Sequence, residues 1–179
     1  MTQVASVYAQ AIYDLALSEG LSESILTELE ILRQSFVAEP AFIKLRSNPS
    51  LTKKDRCDIL DDSFRGKIQP YLLNFLKILT EKGYMRYFAD CCKSYRDLYN
   101  RDNGILPVTA VTAVAMDARQ CQRLSEKLAA LTGKKIQLQN RVDETVLGGV
   151  RLDYDGMRLD DTVAHRLDAI RGVLKNTVL

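Results

Sequence analysis

Two hydrophobic periods follow one another along this chain, and the change between them limits the folds it can adopt. Up to about residue 103 the apolar residues recur at helical spacing with no strand pattern between them. After Pro107 they alternate, with Val108, Ala110, Thr112 and Val114 facing one way and Thr109, Val111 and Ala113 the other. A helical part followed by an α+β part satisfies both periods. The 179 residues suffice for one or two domains. The expected architecture is mainly α with a small α+β part: an N-terminal six-helix bundle over 1–104, then a small β-sheet and helix domain over 105–179.

The helical part divides at its glycines and prolines. A first helix from about Val4 to Ser18 carries Val4, Val7, Tyr8, Ala11, Ile12 and Leu15 on one stripe and ends at Gly20. A second, from about Glu23 with Ser22 as N-cap, repeats Ile25, Leu29, Leu32 and Phe36. Pro40 suits the first turn of a short third helix that stops before Pro49. Thr52-Lys53-Lys54-Asp55 is a capping box with Asp in place of Glu, and opens a fourth helix through Ile59, Leu60 and Phe64. Pro70 begins a fifth, Tyr71 to Leu79, which is apolar over most of its circumference, must therefore be surrounded, and closes at Gly83. A sixth, from Tyr84 to Arg101, places Tyr84, Phe88, Cys91, Tyr95 and Leu98 on one face and ends at Asn103-Gly104.

In the second part Asp117 and Gln120 cap a helix with Cys121, Leu124, Leu128 and Leu131 on its apolar face, stopped by Gly133. Ile136, Leu138 and Val142 mark a second strand, and Val150, Leu152 and Tyr154 a third. Asp155-Gly156 is a strong two-residue hairpin turn, from which Met157 and Leu159 return. A final helix follows Asp160-Asp161, and its stripe Val163, Leu167, Ile170, Leu174 and Thr177 has the 4-3-4-3 spacing of a seam. Such a seam serves a partner helix or covers the chain's own sheet.

Composition removes most chemistry. One His and four Cys without a Cys-x-x-Cys pair exclude a zinc ribbon, a His-rich metal site and a Ser-His-Asp hydrolase. There is no phosphate-binding glycine loop, so no nucleotide and no other cofactor is expected. Asp61-Asp62 and Asp160-Asp161 suit helix surfaces better than catalysis, and His165 suits a solvated face. Residues 1–104 hold 14 basic and 14 acidic residues and the rest 11 and 9, which disfavours nucleic acid as a partner. Neither a signal peptide nor a transit peptide is expected from the opening residues, and no apolar run approaches the roughly 20 residues that span a bilayer. Cys57, Cys91, Cys92 and Cys121 read as free packing thiols in a reducing cytoplasm.

Asp143-Glu144-Thr145-Val146-Leu147-Gly148-Gly149-Val150, the Asp155-Gly156 hairpin, and Asp160-Asp161-Thr162-Val163 leading to Arg166-Leu167 together resemble the C-terminal signature of the F-type ATP synthase delta subunit family, equivalent to the mitochondrial oligomycin sensitivity-conferring protein. Val4-Ala5 and Tyr8-Ala9-Gln10-Ala11 resemble the family's opening helix, and Phe75 to Gly83 its fifth. The resemblance runs in order over essentially the whole chain. It departs at Tyr84, where the family often has Arg and Arg86 follows two residues late, at Glu144 in place of Pro, and at Asp161-Thr162 in place of Gly-Ser.

The resemblance implies a non-catalytic stator subunit that ties the catalytic head to the peripheral stalk during rotary ATP synthesis, peripheral at the cytoplasmic face of the bacterial cell membrane and held there only through the complex. It implies that the helical domain binds the N-terminal segment of an alpha subunit as a helix laid between the first and fifth helices, and that the C-terminal part meets the b subunits of the stalk. On that footing the groove is expected from Tyr8, Ala11, Ile12 and Leu15 with Phe75, Ile78, Leu79 and Lys82. The family signature would rest on Asp143, Leu147, Gly148, Gly149, Gly156, Asp160, Thr162, Val163, Arg166 and Leu167. The rival readings are a small helical RNA-binding adaptor of the antitermination type, whose binding would be strongly salt-dependent, and a carboxylate enzyme.

Overall fold

The computed structural model describes residues 3–38, 52–146 and 148–160, with Val37 and Ala38 as backbone only. The expected third helix, the final helix with its stripe, and His165 lie outside these residues. The chain divides into two compact units, Met1–Tyr99 and Asn100–Leu179. Among the described residues it is mainly helical, with six α-helices and a small mixed sheet of four strands.

Small residues decide how the first helix packs. In α1 (Gln3–Ser18) the buried residues are Ala5, Ala9, Ile12, Tyr13 and Ala16, a face turned about 100° from the expected stripe. The alanines allow neighbouring elements to come close, and Tyr13 fills the space between them, edge to face on Tyr95 at 5.2 Å. Of the expected stripe only Ile12 is buried. The helix ends as expected at Gly20, where the Leu21 N–H donates to Ala16 O (2.8 Å) and the Gly20 N–H to Leu17 O (3.2 Å).

In α2 (Ser22–Ala38) Ile25, Leu29 and Leu32 are buried, as the spacing predicts. Ser22 is already helical, and its carbonyl accepts from the Tyr95 hydroxyl at 2.9 Å. The capping box of α3 (Lys53–Phe64) is formed: the Asp55 N–H donates to Thr52 Oγ1 and the Thr52 N–H to Asp55 Oδ2. In α4 (Pro70–Glu81) Leu72, Leu73, Phe75, Leu76, Leu79 and Thr80 are buried, each large apolar side chain contributing about 1.5–3 kcal/mol. Its start is capped from another helix, since the Gln69 N–H donates to Glu28 Oε2 on α2 at 2.9 Å.

The single helix expected from Tyr84 is instead a 3-10 turn (Met85–Tyr87) followed by α5 (Phe88–Asp102). The Tyr84 N–H closes back on Leu79 O (2.7 Å), which completes the end of α4, and the Tyr87 N–H closes on Tyr84 O (2.8 Å), so the chain turns tightly before the helix restarts. Phe88, Cys91 and Tyr95 are buried as expected, and Cys92 joins them.

In the second unit the strands are β1 (Ile105–Thr112), β2 (Lys135–Val142), β3 (Val150–Tyr154) and β4 (Met157–Asp160), with α6 (Ala118–Thr132) between β1 and β2. The sheet order is β2-β1-β3-β4; β1 and β2 are parallel, and β1-β3 and β3-β4 antiparallel. Pro107 lies inside β1 instead of before it, at a position where only β2 pairs, because β3 pairing begins at Val108. Val114 lies beyond the strand and is exposed. α6 has the expected capping box of Asp117 and Gln120. The chain reverses between β3 and β4 at Asp155 (φ 46°) and Gly156 (φ 75°), the left-handed pair that a two-residue hairpin needs.

Candidate partner-binding groove

α1 is apolar on two sides. Its alanine face packs into the core, while Val4, Val7, Tyr8, Ala11 and Leu15 share a second flank. Val7 is 63% and Leu15 38% exposed, Ala11 is exposed, and Val4 and Tyr8 are half-buried. Tyr8 stands edge to face on Tyr84 at 5.8 Å, which places this flank beside the end of α4. Tyr84 in turn meets Tyr87 at 6.0 Å, and the Arg86 guanidinium lies 4.7 Å from the Tyr87 ring centroid.

α4 is anchored on its other side. Lys77 Nζ reaches Asp61 Oδ2 on α3 at 2.5 Å, and the Cys57 thiol lies 4.0 Å from Lys77 O. Lys77 hydrogen bonding holds the Asp61 carboxyl below the usual carboxylate range. With Lys77 turned to α3, the residues Tyr71, Phe75, Ile78 and Lys82 follow one another along a different flank of α4. Phe75 is buried, Tyr71 half-buried, and Ile78 and Lys82 are exposed, Ile78 at 45%. The helix stops at Gly83, whose φ of 73° is the left-handed conformation that glycine adopts without strain, and this turn delivers Tyr84 to Tyr8.

The eight expected groove residues thus fall into two sets. Ile12, Phe75 and Leu79 are buried members of the core. Ala11, Leu15, Ile78 and Lys82 are exposed, and Tyr8 bridges the sets. The aromatic group formed by Tyr84, Tyr87 and Arg86 was not anticipated; the spacing of Tyr8 and Tyr84 within their own helices carries no signal of a contact 76 positions apart.

Of the expected signature residues, Asp143, Gly148 and Gly149 lie in the loop before β3. Asp143 Oδ1 accepts from the Thr145 N–H (3.1 Å) and Thr145 Oγ1 (2.5 Å), and the Asp143 N–H donates to Thr112 O (2.9 Å), tying the loop to the end of β1. The Thr145 hydrogen bonds hold the Asp143 carboxyl below its usual range. Val146 is buried, Gly148 half-buried and Gly149 exposed. Gly156 forms the hairpin and Asp160 ends β4, while Leu147, Thr162, Val163, Arg166 and Leu167 lie outside the described residues. Asn140 carries no signal in the sequence pattern. Its Nδ2 donates to Ala110 O and Thr112 Oγ1, both at 2.9 Å, and its Oδ1 accepts from the Met116 N–H at 2.9 Å, so one amide fixes the entry to α6.

Among the described residues no three His, Cys, Asp or Glu side chains come together as a metal group, and no helix is long and apolar enough to cross a membrane. The chain matches the family of ATP synthase delta (OSCP) subunits over residues 4–174. It is 32% identical to the ATP synthase subunit delta of Alkaliphilus oremlandii over 98% of each chain, and 35% identical to that of Lactobacillus delbrueckii over 96% of each. Among solved structures, a chain of the Toxoplasma gondii mitochondrial ATP synthase hexamer shares the fold, with a TM-score of 0.76 at 20% identity over 97% of this chain and 98% of that one.

Proposed function

Because the chain belongs to the ATP synthase delta (OSCP) subunit family, whose members are structural stator subunits and not catalytic ones, we propose that it joins the catalytic head to the peripheral stalk through two separate surfaces. The first is the groove between α1 and α4, which receives the N-terminal segment of an alpha subunit as an amphipathic helix. Ile12, Phe75 and Leu79 support its floor from the core, Tyr8 closes one end against Tyr84, and Ala11, Leu15, Ile78 and Lys82 form the rims. The observation that carries this reading is the second apolar flank of α1: with Ala5, Ala9, Ile12, Tyr13 and Ala16 turned to the core, Val7 and Leu15 stay exposed on the other side.

The second surface belongs to the C-terminal unit and meets the b subunits. With the short helix expected between Pro40 and Pro49, the first unit is a six-helix bundle. The protein sits peripherally at the cytoplasmic face of the membrane, held by the complex.

The test uses the full chain and a synthetic peptide of the alpha N-terminal segment. Ile78→Asp places a charge at an exposed position, so circular dichroism stays helical while calorimetry loses the binding heat seen with the unmodified chain. Unchanged affinity of Ile78→Asp, or no binding by the unmodified chain, removes the groove from consideration.

A further inference from the structure

The groove between α1 and α4 has two ends, and packing shows which residues share each of them. The Gln69 N–H at the start of α4 donates to Glu28 of α2, and Phe88, one turn beyond Tyr84, packs against Phe36 near the end of α2 with ring centroids 4.9 Å apart. α4 therefore runs the same way as α2. α2 turns back along α1 after Gly20, with Tyr95 touching both the Tyr13 ring and the Ser22 carbonyl, so α1 and α4 are antiparallel. From the Tyr8–Tyr84 contact at the end of α4, α1 leads back toward the start of α4. Glu19 continues the Tyr8, Ile12, Leu15 series and lies about 16 Å along it.

The two ends differ in charge. At the first, Lys82 and Arg86 are exposed and have no ion pair among the described residues, whereas Lys77 and Arg65 are held by Asp61, and Arg33 and Arg96 by Glu30. The Arg86 guanidinium lies 4.7 Å from the Tyr87 ring centroid, and Tyr87, Tyr84 and Tyr8 follow one another in ring contact. The cation is thereby held at the mouth of the groove with N–H donors open to a partner. The acidic neighbour, Glu81, lines a hollow with Lys53, Lys54 and Lys82, which leaves this end basic. At the other end Asp14 and Glu19 are exposed. Asp14 Oδ1 accepts from Gln10 Nε2 at 2.7 Å, and among the described residues neither carboxylate meets a cation; Lys67, in the turn from α3 into α4, pairs with neither.

We propose that the helix received by this groove is oppositely charged at its two ends, and that its acidic end lies over Lys82 and Arg86 and its basic end beside Asp14 and Glu19. The proposal rests on the groove reading above and adds to it the orientation of the occupant. The apolar flanks have no direction of their own: Tyr8, Leu15, Phe75 and Ile78 accept an amphipathic helix either way round. Charge separates the two orientations, because in one both ends meet the opposite sign and in the other both meet their own. Exposed ion pairs add little affinity singly, so the contribution of these four residues is to the choice of orientation and to the encounter rate.

The experiment uses the full chain and the synthetic peptide of the alpha N-terminal segment, acetylated and amidated so that its termini add no charge, with a nitroxide at its acidic or at its basic end. In nuclear magnetic resonance the label at the acidic end should broaden the Gly83 and Met85 amides and spare Leu21, and the label at the basic end should do the reverse. Lys82→Glu combined with Arg86→Glu should weaken binding about tenfold at low salt, with a much smaller loss at high salt, and reversing the peptide's acidic residues to Lys should recover it. The inverted broadening pattern overturns the proposed orientation and leaves the groove reading standing, as does unchanged affinity in the double variant. Binding that broadens neither set removes the groove and the proposal with it.

Discussion

Cys91 and Cys92 lie side by side in the core of the first unit, and burial decides their chemistry. Desolvation of the thiolate pushes Cys91 up to about 11 and Cys92 up to about 12. A folded-state value above the ordinary thiol pKa of roughly 8.5 favours the neutral form. Its contribution to stability is therefore complete below that value and is lost as pH rises through about 11 and 12. Denaturation midpoints should accordingly fall between about pH 9 and pH 12, and Cys91→Ala with Cys92→Ala should flatten that fall. At pH 8, iodoacetamide followed by mass spectrometry should modify half-buried Cys121 in the native chain, and Cys91 and Cys92 only after unfolding. The carboxylates have the opposite sign: Asp61, held down by Lys77, and Asp143, held down by Thr145, contribute above the usual carboxylate range and lose that contribution as pH falls through their lowered values. The sequence identified all four cysteines as free packing residues and placed Cys91 on an apolar face. Cys92 escaped because its burial depends on the neighbouring α2, where its thiol lies 3.9 Å from Leu29 O.

Element boundaries were written locally and were legible for that reason. The capping boxes of α3 and α6, the left-handed stops at Gly20, Gly83 and Gly133, and the Asp155-Gly156 turn each depend on residues within about five positions of one another. Asp117→Ala removes the side chain that accepts from the Gln120 N–H at 2.7 Å and should cost about 1 kcal/mol. Asp117→Asn should cost much less, and denaturant titration of the full chain distinguishes them. A loss of less than 0.3 kcal/mol in the alanine variant would mean that the cap is replaced by solvent, an outcome that typical cap energies make unexpected. What failed at this scale was the phase of α1. Bulk favours the stripe of Val4, Val7, Tyr8 and Leu15, but close packing selected Ala5, Ala9 and Ala16, because the distance between helix axes is set by their neighbours. The break between the 3-10 turn and α5 was missed for a related reason: the Tyr84 N–H is claimed by the end of α4.

At the scale of the whole molecule the work is that of a structural stator subunit, and we propose that the two units divide it. Membranes that retain the peripheral stalk but lack this subunit should release the catalytic head, and the added chain should restore its attachment, read as head protein sedimenting with the membranes. Ile78→Asp should restore less than a tenth of it; full restoration would place the essential contact elsewhere. Leu79→Ala is the contrasting case. Its side chain is completely buried, so it should destabilise the first unit by about 2–5 kcal/mol, and any loss of attachment would follow the loss of fold. The sequence by itself determined the order of the described helices and strands, the change from helix to sheet, read a few residues late at Pro107, and the resemblance to this family, because periodicity, caps and turns are encoded over a few residues. Only the tertiary structure decided which face of α1 is core and which is free, that Tyr8 meets Tyr84, that Glu28 caps α4, and that Asn140 binds β1 to the loop before α6. These contacts join residues 24 to 76 positions apart. Their partners are chosen by packing distance and by the need to satisfy buried polar groups, and neither quantity exists until the elements have come together.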